Sequence, residues 1–298
     1  MTHTSAPHHR SDVLPVLLTC VGYGYFTIND AINKFLTAKF HFSQIMVTNG
    51  FLLSVFLAIF AMYFEGRKAF RTKKLKLMLW RAVVGQVSAV TTLLSLPHIH
   101  LTTFYTLVFT SPFWVSLMAV FVLKERLEAK RLAVILLGFA VVVFIFRPGG
   151  GLFNIWAVLV CLGALTYSYA LIIMRQIGAH ESRYLVLIFA CSMNVLVAAP
   201  LLPGHFIMPT PYEGGLFVLV SLLGSIGLLC VSYGIQVASS PAVVVPYHYT
   251  QLVWGALLGY FIFQEVPSLN MMIGAAIIIT AGLWLIYSEA RNRRKVLL

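Results

Sequence analysis

The sequence predicts an all-α membrane protein whose ten transmembrane helices form two inverted-topology five-helix repeats. Of its 298 residues, 60% are apolar and only 10% are charged, whereas soluble domains carry about 25% charged residues. A helix needs about 20 apolar residues to cross a bilayer, and ten such segments follow one another along the chain. The fourth of them contains Thr110–Glu125, which recurs in the ninth as Thr250–Glu265 with Thr, Trp, Leu, Phe and Glu at the same five positions.

The connections between the predicted spans are short and leave no room for a soluble domain. The glycine run near 150 separates two halves with five spans each, and an odd number of crossings places the second copy upside down. We therefore divide the chain into a cytoplasmic tail (1–12), a first repeat (13–147), a second repeat (153–287) and a basic cytoplasmic tail (288–298). The predicted spans are 13–36, 43–64, 76–96, 101–123, 130–147, 153–174, 184–202, 213–236, 241–263 and 268–287.

Lysine and arginine positions predict the orientation. With a cytoplasmic N-terminus, eighteen of them fall on the inner side and only Lys34, Lys39 and Arg147 on the outer side, as expected of a bacterial-type inner-membrane protein with both termini inside. This distribution accounts for the net charge of +12 without nucleic acid, since no basic-aromatic module lies outside the apolar segments. The four cysteines fall inside apolar segments without CxxC spacing, which is typical of small buried side chains.

Several motifs carry a resemblance to a known family. They are Asn29-Asp30 with Lys34, Pro112 through Glu125, Pro246, Thr250 through Trp254, Phe263 through Glu265, Gly274 and Gly282. In these features, over roughly 15–146 and 153–287, the chain resembles the drug/metabolite transporter superfamily, EamA type. The resemblance implies a secondary carrier with a central cavity between its halves, and it does not specify a solute. Many members carry Arg early in the second span, where this chain has Asn49.

The ninth predicted span is richest in polar and aromatic groups. Pro246 removes a backbone hydrogen bond and can kink the helix. His248 is the only histidine deep in a predicted span, and it is either a partner in an interhelical hydrogen bond or a contact for substrate or a proton. Tyr247, Gln251 and Trp254 follow at helical spacing and are predicted to line the substrate site with it.

The fourth span offers matching aromatic residues, and inverted symmetry makes Trp114 the counterpart of Trp254. An aromatic cage built from these residues and Tyr105 would hold a flat or cationic organic solute. The alternative is ordinary packing between helices. Tyr25 and Asn49 are further predicted substrate contacts.

Ionisable groups inside a span are expensive and point to function. Asp30 and Lys34 lie four residues apart in the first span, so they share one helix face. They are either a self-neutralising pair near the outer interface or a coupling and gating site, with His248 as a second coupling candidate. Arg81, about one turn inside the third span, is predicted to snorkel to the inner surface. The repeated glutamates, Glu125 and Glu265, are interpreted as structural.

The function predicted from these features is non-ATP transport of a small organic metabolite, with H⁺ as a possible coupling ion. The chain has no GxxxxGK[ST] phosphate loop, and no cofactor is expected. His98 and His100 lack an identifiable third ligand for a metal. The alternative is a membrane-embedded enzyme or lipid-handling protein, although no clustered catalytic set is present.

Overall fold

Helices account for the regular structure of this protein. The computed structural model describes residues 13–108, 110–123, 155–178, 180–238, 247–248 and 250–264, with single positions between 133 and 140 and between 269 and 287; no strand occurs within these residues. The α-helices are α1 (Val13–Thr37), α2 (Phe42–Phe64), α3 (Leu75–Ser95), α4 (Leu101–Val108), α5 (Ser111–Leu123), α6 (Ile155–Ile177), α7 (Arg183–Ala198), α8 (Pro211–Val237) and α9 (Thr250–Phe263).

The long helices match the predicted spans to within a few residues. In the described part, five helical segments are long and apolar enough to cross a membrane: α2, α6, α8, and α3 and α7 with their short 3-10 extensions. Their outward faces carry exposed apolar side chains such as Phe51 and Leu196, which suits contact with lipid. Helical positions between 133 and 140 and between 269 and 287 fall in the predicted fifth and tenth spans.

The fourth predicted span is broken, so the prediction of one continuous helix over 101–123 is wrong. Helix α4 ends at Val108 and α5 begins at Ser111. A proline at position 112 explains the break. Its backbone nitrogen carries no hydrogen, so it cannot donate to the carbonyl of Val108, four residues earlier. Thr110 closes the turn by donating its hydroxyl to the carbonyl of Leu107 at 2.8 Å.

The ninth span has the same construction. Helix α9 begins at Thr250, after a helical turn at Tyr247 and His248. The hydroxyl of Thr250 donates to the carbonyl of Tyr247 at 2.8 Å, as Thr110 does in the first half. Pro246, on which the kink was predicted, lies outside the described residues. The threonine that opens each copy of the sequence repeat therefore closes a turn at the start of a helix.

Two close helix crossings join the halves of the chain. At the first, α1 meets α8, and a Cβ on Gly22 would lie 2.9 Å from the carbonyl oxygen of Gly227. At the second, α6 meets α3, and a Cβ on Gly163 would lie 2.6 Å from the hydroxyl of Thr91. Small residues at such crossings let membrane helices approach closely.

Substitution of Gly22 is expected to separate α1 from α8. Because the new methyl group would meet backbone, Gly22→Ala is expected to cost about 1–3 kcal/mol and to lower the apparent melting temperature of the purified protein. Gly24 lies in the same helix with nothing within 4 Å of a Cβ, so Gly24→Ala is the matched control and is expected to leave stability unchanged or slightly raised. Equal melting temperatures for the two variants would contradict this packing.

The two ends of the helix bundle differ in charge. At one end, Lys74 donates to the carbonyls of Gln176 and Ile177 at 2.8 Å each, and Arg175 donates to carbonyls at the end of α8. Cations at helix C-termini are stabilised by the helix dipole. At the other end, Lys39 forms an ion pair with Glu213 at 2.6 Å.

Candidate functional site

A central pocket lies between helices of both halves of the chain. It encloses about 540 Å³ including its open mouth, and its walls come from α1, α3, α4, α6 and the segment that runs from His248 into α9. The end of α4 and the start of α9 place a helix end on two of its sides. The lining residues are Phe26, Asp30, Ser88, Thr92, Phe104, Val108, Val160, Gly163, Ala164, Tyr167, His248 and Gln251.

Three rings form an aromatic cluster at the pocket. His248 is 3% exposed, and its ring stacks on Tyr23 with centroids 4.3 Å apart and planes 14° from parallel. Tyr167 lies 5.9 Å from His248, and its hydroxyl faces that of Tyr23. The stacking on Tyr23 therefore fixes the plane of the histidine ring at the pocket wall.

Tyr23 and Tyr167 were missed by the sequence reasoning, which singled out other tyrosines. A signal existed for Tyr23, because it lies seven residues before Asp30 and so on the same face of α1. For Tyr167 the signal was the small pair Gly163 and Ala164 one turn earlier, which leaves space beside α6.

Of the predicted pair, Asp30 lies in the pocket wall and Lys34 lies at the rim of the pocket. Asp30 lines the pocket and acts electrostatically on Tyr167. Lys34 donates to the carbonyl of Ile99 at 2.9 Å and lies over the ring of Phe263, 5.2 Å from its centroid. The ammonium group thus contacts the connection between α3 and α4 and the end of α9.

Of the four residues predicted in the ninth span, His248 and Gln251 line the pocket. Gln251 is 2% exposed. Tyr247 is partly buried and contributes its carbonyl to the turn before α9. Trp254 is 51% exposed. Of Tyr247, Gln251 and Trp254, which were predicted to share one face, only Gln251 is among the residues that line the pocket.

The predicted residues of the first half are also spread apart. Trp114 and Tyr25 are partly buried and are not among the pocket-lining residues. The side chain of Tyr105 lies outside the described residues. The structure therefore does not bring Trp114 and Trp254 together around the pocket.

Asn49 belongs to a chain of polar contacts between helices. It donates to Asn33 at 2.9 Å, Asn33 donates to Asn29 at 2.7 Å, and Asn29 donates to the carbonyl of Val220 at 2.7 Å. Ser221 completes the chain by donating to Asn49 at 3.4 Å. This chain links α1, α2 and α8, so the structure gives Asn49 an interhelical role and not a position on the pocket wall.

Arg81 corrects a second expectation. It was predicted to snorkel to the inner surface, yet the side chain is 8% exposed. Its Nε is buried without a hydrogen-bond partner. Tyr167 and Cys191 are the groups that it acts on electrostatically. The reason is its place on α3: the lipid-facing side of that helix carries Trp80, Val83 and Val87, and Arg81 lies on the opposite side.

At the rim, the start of α2 is joined to the connection between α7 and α8. Gln44 donates to the carbonyl of Ile207 at 2.6 Å and accepts from its N–H at 2.9 Å. His41 caps α2 and stacks on His205 with centroids 4.2 Å apart. Burial, together with the neighbouring His205, lowers the pKa of His41. In the described part of the chain, no group of three His, Cys, Asp or Glu side chains could hold a metal ion.

Comparison with protein families bears on this arrangement. Residues 154–288 match the model of the EamA-like transporter family. The match covers the second predicted repeat, which is less than half of the chain. The matched family consists of transporters and not of enzymes, so the enzyme alternative is set aside.

Relatives that match nearly the whole chain are transporters for different solutes. The S-adenosylmethionine uptake transporter of Rickettsia prowazekii is 27% identical, with 89% of this chain and 90% of the relative covered. The pseudopaline exporter CntI of Pseudomonas aeruginosa is 25% identical, with 89% and 93% covered. The riboflavin transporter of Rhizobium johnstonii is 26% identical, with 91% and 90% covered.

The fold of this protein also matches a solved structure. One crystal structure superposes with a TM-score of 0.68 over 94% of this chain and 98% of the other, at 17% sequence identity. The likeness establishes a shared fold of apolar helices. The protein is accordingly a multi-pass membrane protein with bacterial transporter relatives.

Proposed function

We propose that this protein is a secondary transporter that carries a small organic metabolite with a flat or cationic part through the central pocket. The observation that carries the proposal is the pocket itself, which is lined from both halves and bordered by the break after α4 and by the start of α9. Transporters bind their substrates where broken helices meet near the middle of the membrane. The pocket-lining rings of Tyr167 and His248 and the carboxylate of Asp30 suit such a solute.

The inverted repeat is part of the proposal, and its support comes from matching contacts. Thr110 and Thr250 make the same hydrogen bond at matching helix breaks. The two close helix crossings also correspond. Gly163 lies about 140 residues after Gly22, and each of these glycines meets a helix of the other half, at Thr91 and Gly227 respectively. In this proposal the basic end of the bundle faces the cytoplasm, so both termini lie on the cytoplasmic side of a bacterial-type inner membrane.

Alternating access requires that contacts at one end break while those at the other end hold. The two ends supply such contacts between the halves. At the end that carries Glu213 they are the ion pair of Lys39 with Glu213 and the paired hydrogen bonds of Gln44 with Ile207. At the basic end they are the bonds from Lys74 to the last carbonyls of α6.

Counterflow in proteoliposomes tests the proposal. Vesicles containing the purified protein are loaded with unlabelled S-adenosylmethionine or riboflavin, and uptake of the labelled compound is followed. A carrier returns its binding site loaded, so internal solute is expected to accelerate entry of label above that in vesicles without it. Uptake should saturate and should need no ATP.

Protein-free vesicles and vesicles loaded with the other compound serve as controls. Flux that neither saturates nor responds to internal solute, for both compounds and for a wider panel of metabolites, would contradict secondary transport of this solute class.

A further inference from the structure

Arg81 is a buried cation that the proposed transport site does not use. Its side chain is 8% exposed and its Nε has no hydrogen-bond partner. Among the described residues no carboxylate forms an ion pair with it. A buried guanidinium without an anionic partner is costly, and Arg is the side chain best suited to bidentate binding of a carboxylate. The cost is removed if an anionic group of the substrate supplies the missing partner.

The position of Arg81 on α3 connects it with the pocket. Ser88 and Thr92 line the pocket, and Arg81 lies seven residues before Ser88, two turns along the same face. Gly85 lies between them on that face. A Cβ on Gly85 would meet nothing within 4 Å, although the opposite face of α3, at Val83 and Val87, is the lipid-exposed one. No described atom lies within 4 Å of that Cβ, so the inward face of α3 between Ser88 and Arg81 carries no bulky side chain.

Two opposite charges lie within electrostatic range of Tyr167. They are Asp30, which lines the pocket with Tyr167, and Arg81 on α3. A carboxylate that is seated at Arg81 would leave the rest of a solute beside the aromatic cluster, with a cationic part toward Asp30.

We propose that the central site extends past Gly85 to Arg81 and that Arg81 binds the carboxylate of a zwitterionic, amino-acid-like metabolite. The proposal rests on the proposed transport function and narrows its substrate class. It assigns recognition of the anionic group to α3. The second span does not supply it, because Asn49 there is hydrogen-bonded to Asn33 and Ser221 of neighbouring helices.

The test compares two pairs of probes that differ by one carboxylate: S-adenosylmethionine with its decarboxylated form, and tryptophan with tryptamine. Dissociation constants are measured for the purified full-length protein. The wild-type protein should bind the carboxylate-bearing member of at least one pair at least tenfold more tightly. Arg81→Gln should remove that preference and leave binding of the decarboxylated member unchanged, and Arg81→Lys should restore part of it.

The variant Gly85→Leu provides a second test, in which the charge of Arg81 is retained. Its Cβ would meet no described atom within 4 Å, and the longer side chain would extend between Ser88 and Arg81, so it should weaken binding of the carboxylate-bearing probe; the melting temperature is measured in parallel to confirm that the variant is folded. This variant decides the matter if Arg81→Gln fails to fold.

Three results would overturn the inference. They are equal affinities within both wild-type pairs, equal loss for both members of a pair in Arg81→Gln, and unchanged binding in Gly85→Leu. Each of these can occur in a protein that still performs counterflow of riboflavin or another metabolite, in which case only the inference fails. Absence of counterflow for every solute would remove the proposed function as well.

Discussion

His248→Phe is expected to lower transport by about ten- to a hundredfold while the protein still inserts and remains folded. Phenylalanine keeps a flat ring against Tyr23, where His248 now stacks at 4.3 Å, but it removes both ring nitrogens from the pocket wall. Loss of a buried polar contact costs about 1–3 kcal/mol, and each 1.4 kcal/mol is about tenfold in binding. The measurement is the initial rate of counterflow at low substrate, with the apparent melting temperature taken in parallel.

The matched control is Trp254→Ala, six residues along the chain. Helical spacing with Tyr247 and Gln251, together with the repeat, predicted that this tryptophan contacts substrate. Its side chain is 51% exposed, so its removal is expected to change counterflow little. His248→Ala serves as a packing control, because it also leaves a cavity beside Tyr23 and should lower the melting temperature. Wild-type flux in His248→Phe would leave His248 as a structural residue.

Asp30→Asn is expected to remove the dependence of transport on external pH. Asp30 lines the pocket, and a carboxylate inside a membrane protein that faces a substrate path is suited to exchange a proton during the transport cycle. Asparagine has nearly the same shape and cannot change charge, so a pH gradient should no longer drive accumulation. The measurement is the uptake rate between about pH 5 and pH 8 in proteoliposomes, the range in which proton coupling is usually read.

Two other carboxylate variants serve as comparisons for Asp30→Asn. Asp30→Glu retains the titratable group and should preserve a pH dependence. Glu213→Gln removes the rim ion pair with Lys39, which is away from the pocket, and should also preserve it. A profile in Asp30→Asn that matches the wild type would assign Asp30 to structure, as a partner of Lys34.

The sequence predicted most of the helix boundaries. Helix α1 runs from Val13 to Thr37 against a prediction of 13–36, and α8 runs from Pro211 to Val237 against 213–236. Hydropathy succeeds here because lipid forces every backbone group of a span to pair within its own helix. It failed over 101–123, where the run of apolar residues hides the break before Pro112.

Residues of the site were harder to predict. Three of the predicted site residues, His248, Gln251 and Asp30, line the pocket. Tyr23 and Tyr167 were not chosen from among the tyrosines. Trp254 was chosen for its place in the repeat and lies on an exposed face. A repeated aromatic residue marks a repeated fold, and the fold needs it for packing or for lipid contact as readily as for substrate.

By itself the sequence determined that this chain is a helical membrane protein with several apolar spans, and it indicated which end of the bundle is basic. These properties follow from composition and charge along the chain, because each span meets the bilayer independently. Only the tertiary structure decided which side chains share the pocket, that Asn49 links helices, and that Arg81 is buried. The physical reason is that burial depends on which helix faces pack together, and the contacts of Gly22 with α8 and Gly163 with α3, which set those faces, join residues far apart in the chain.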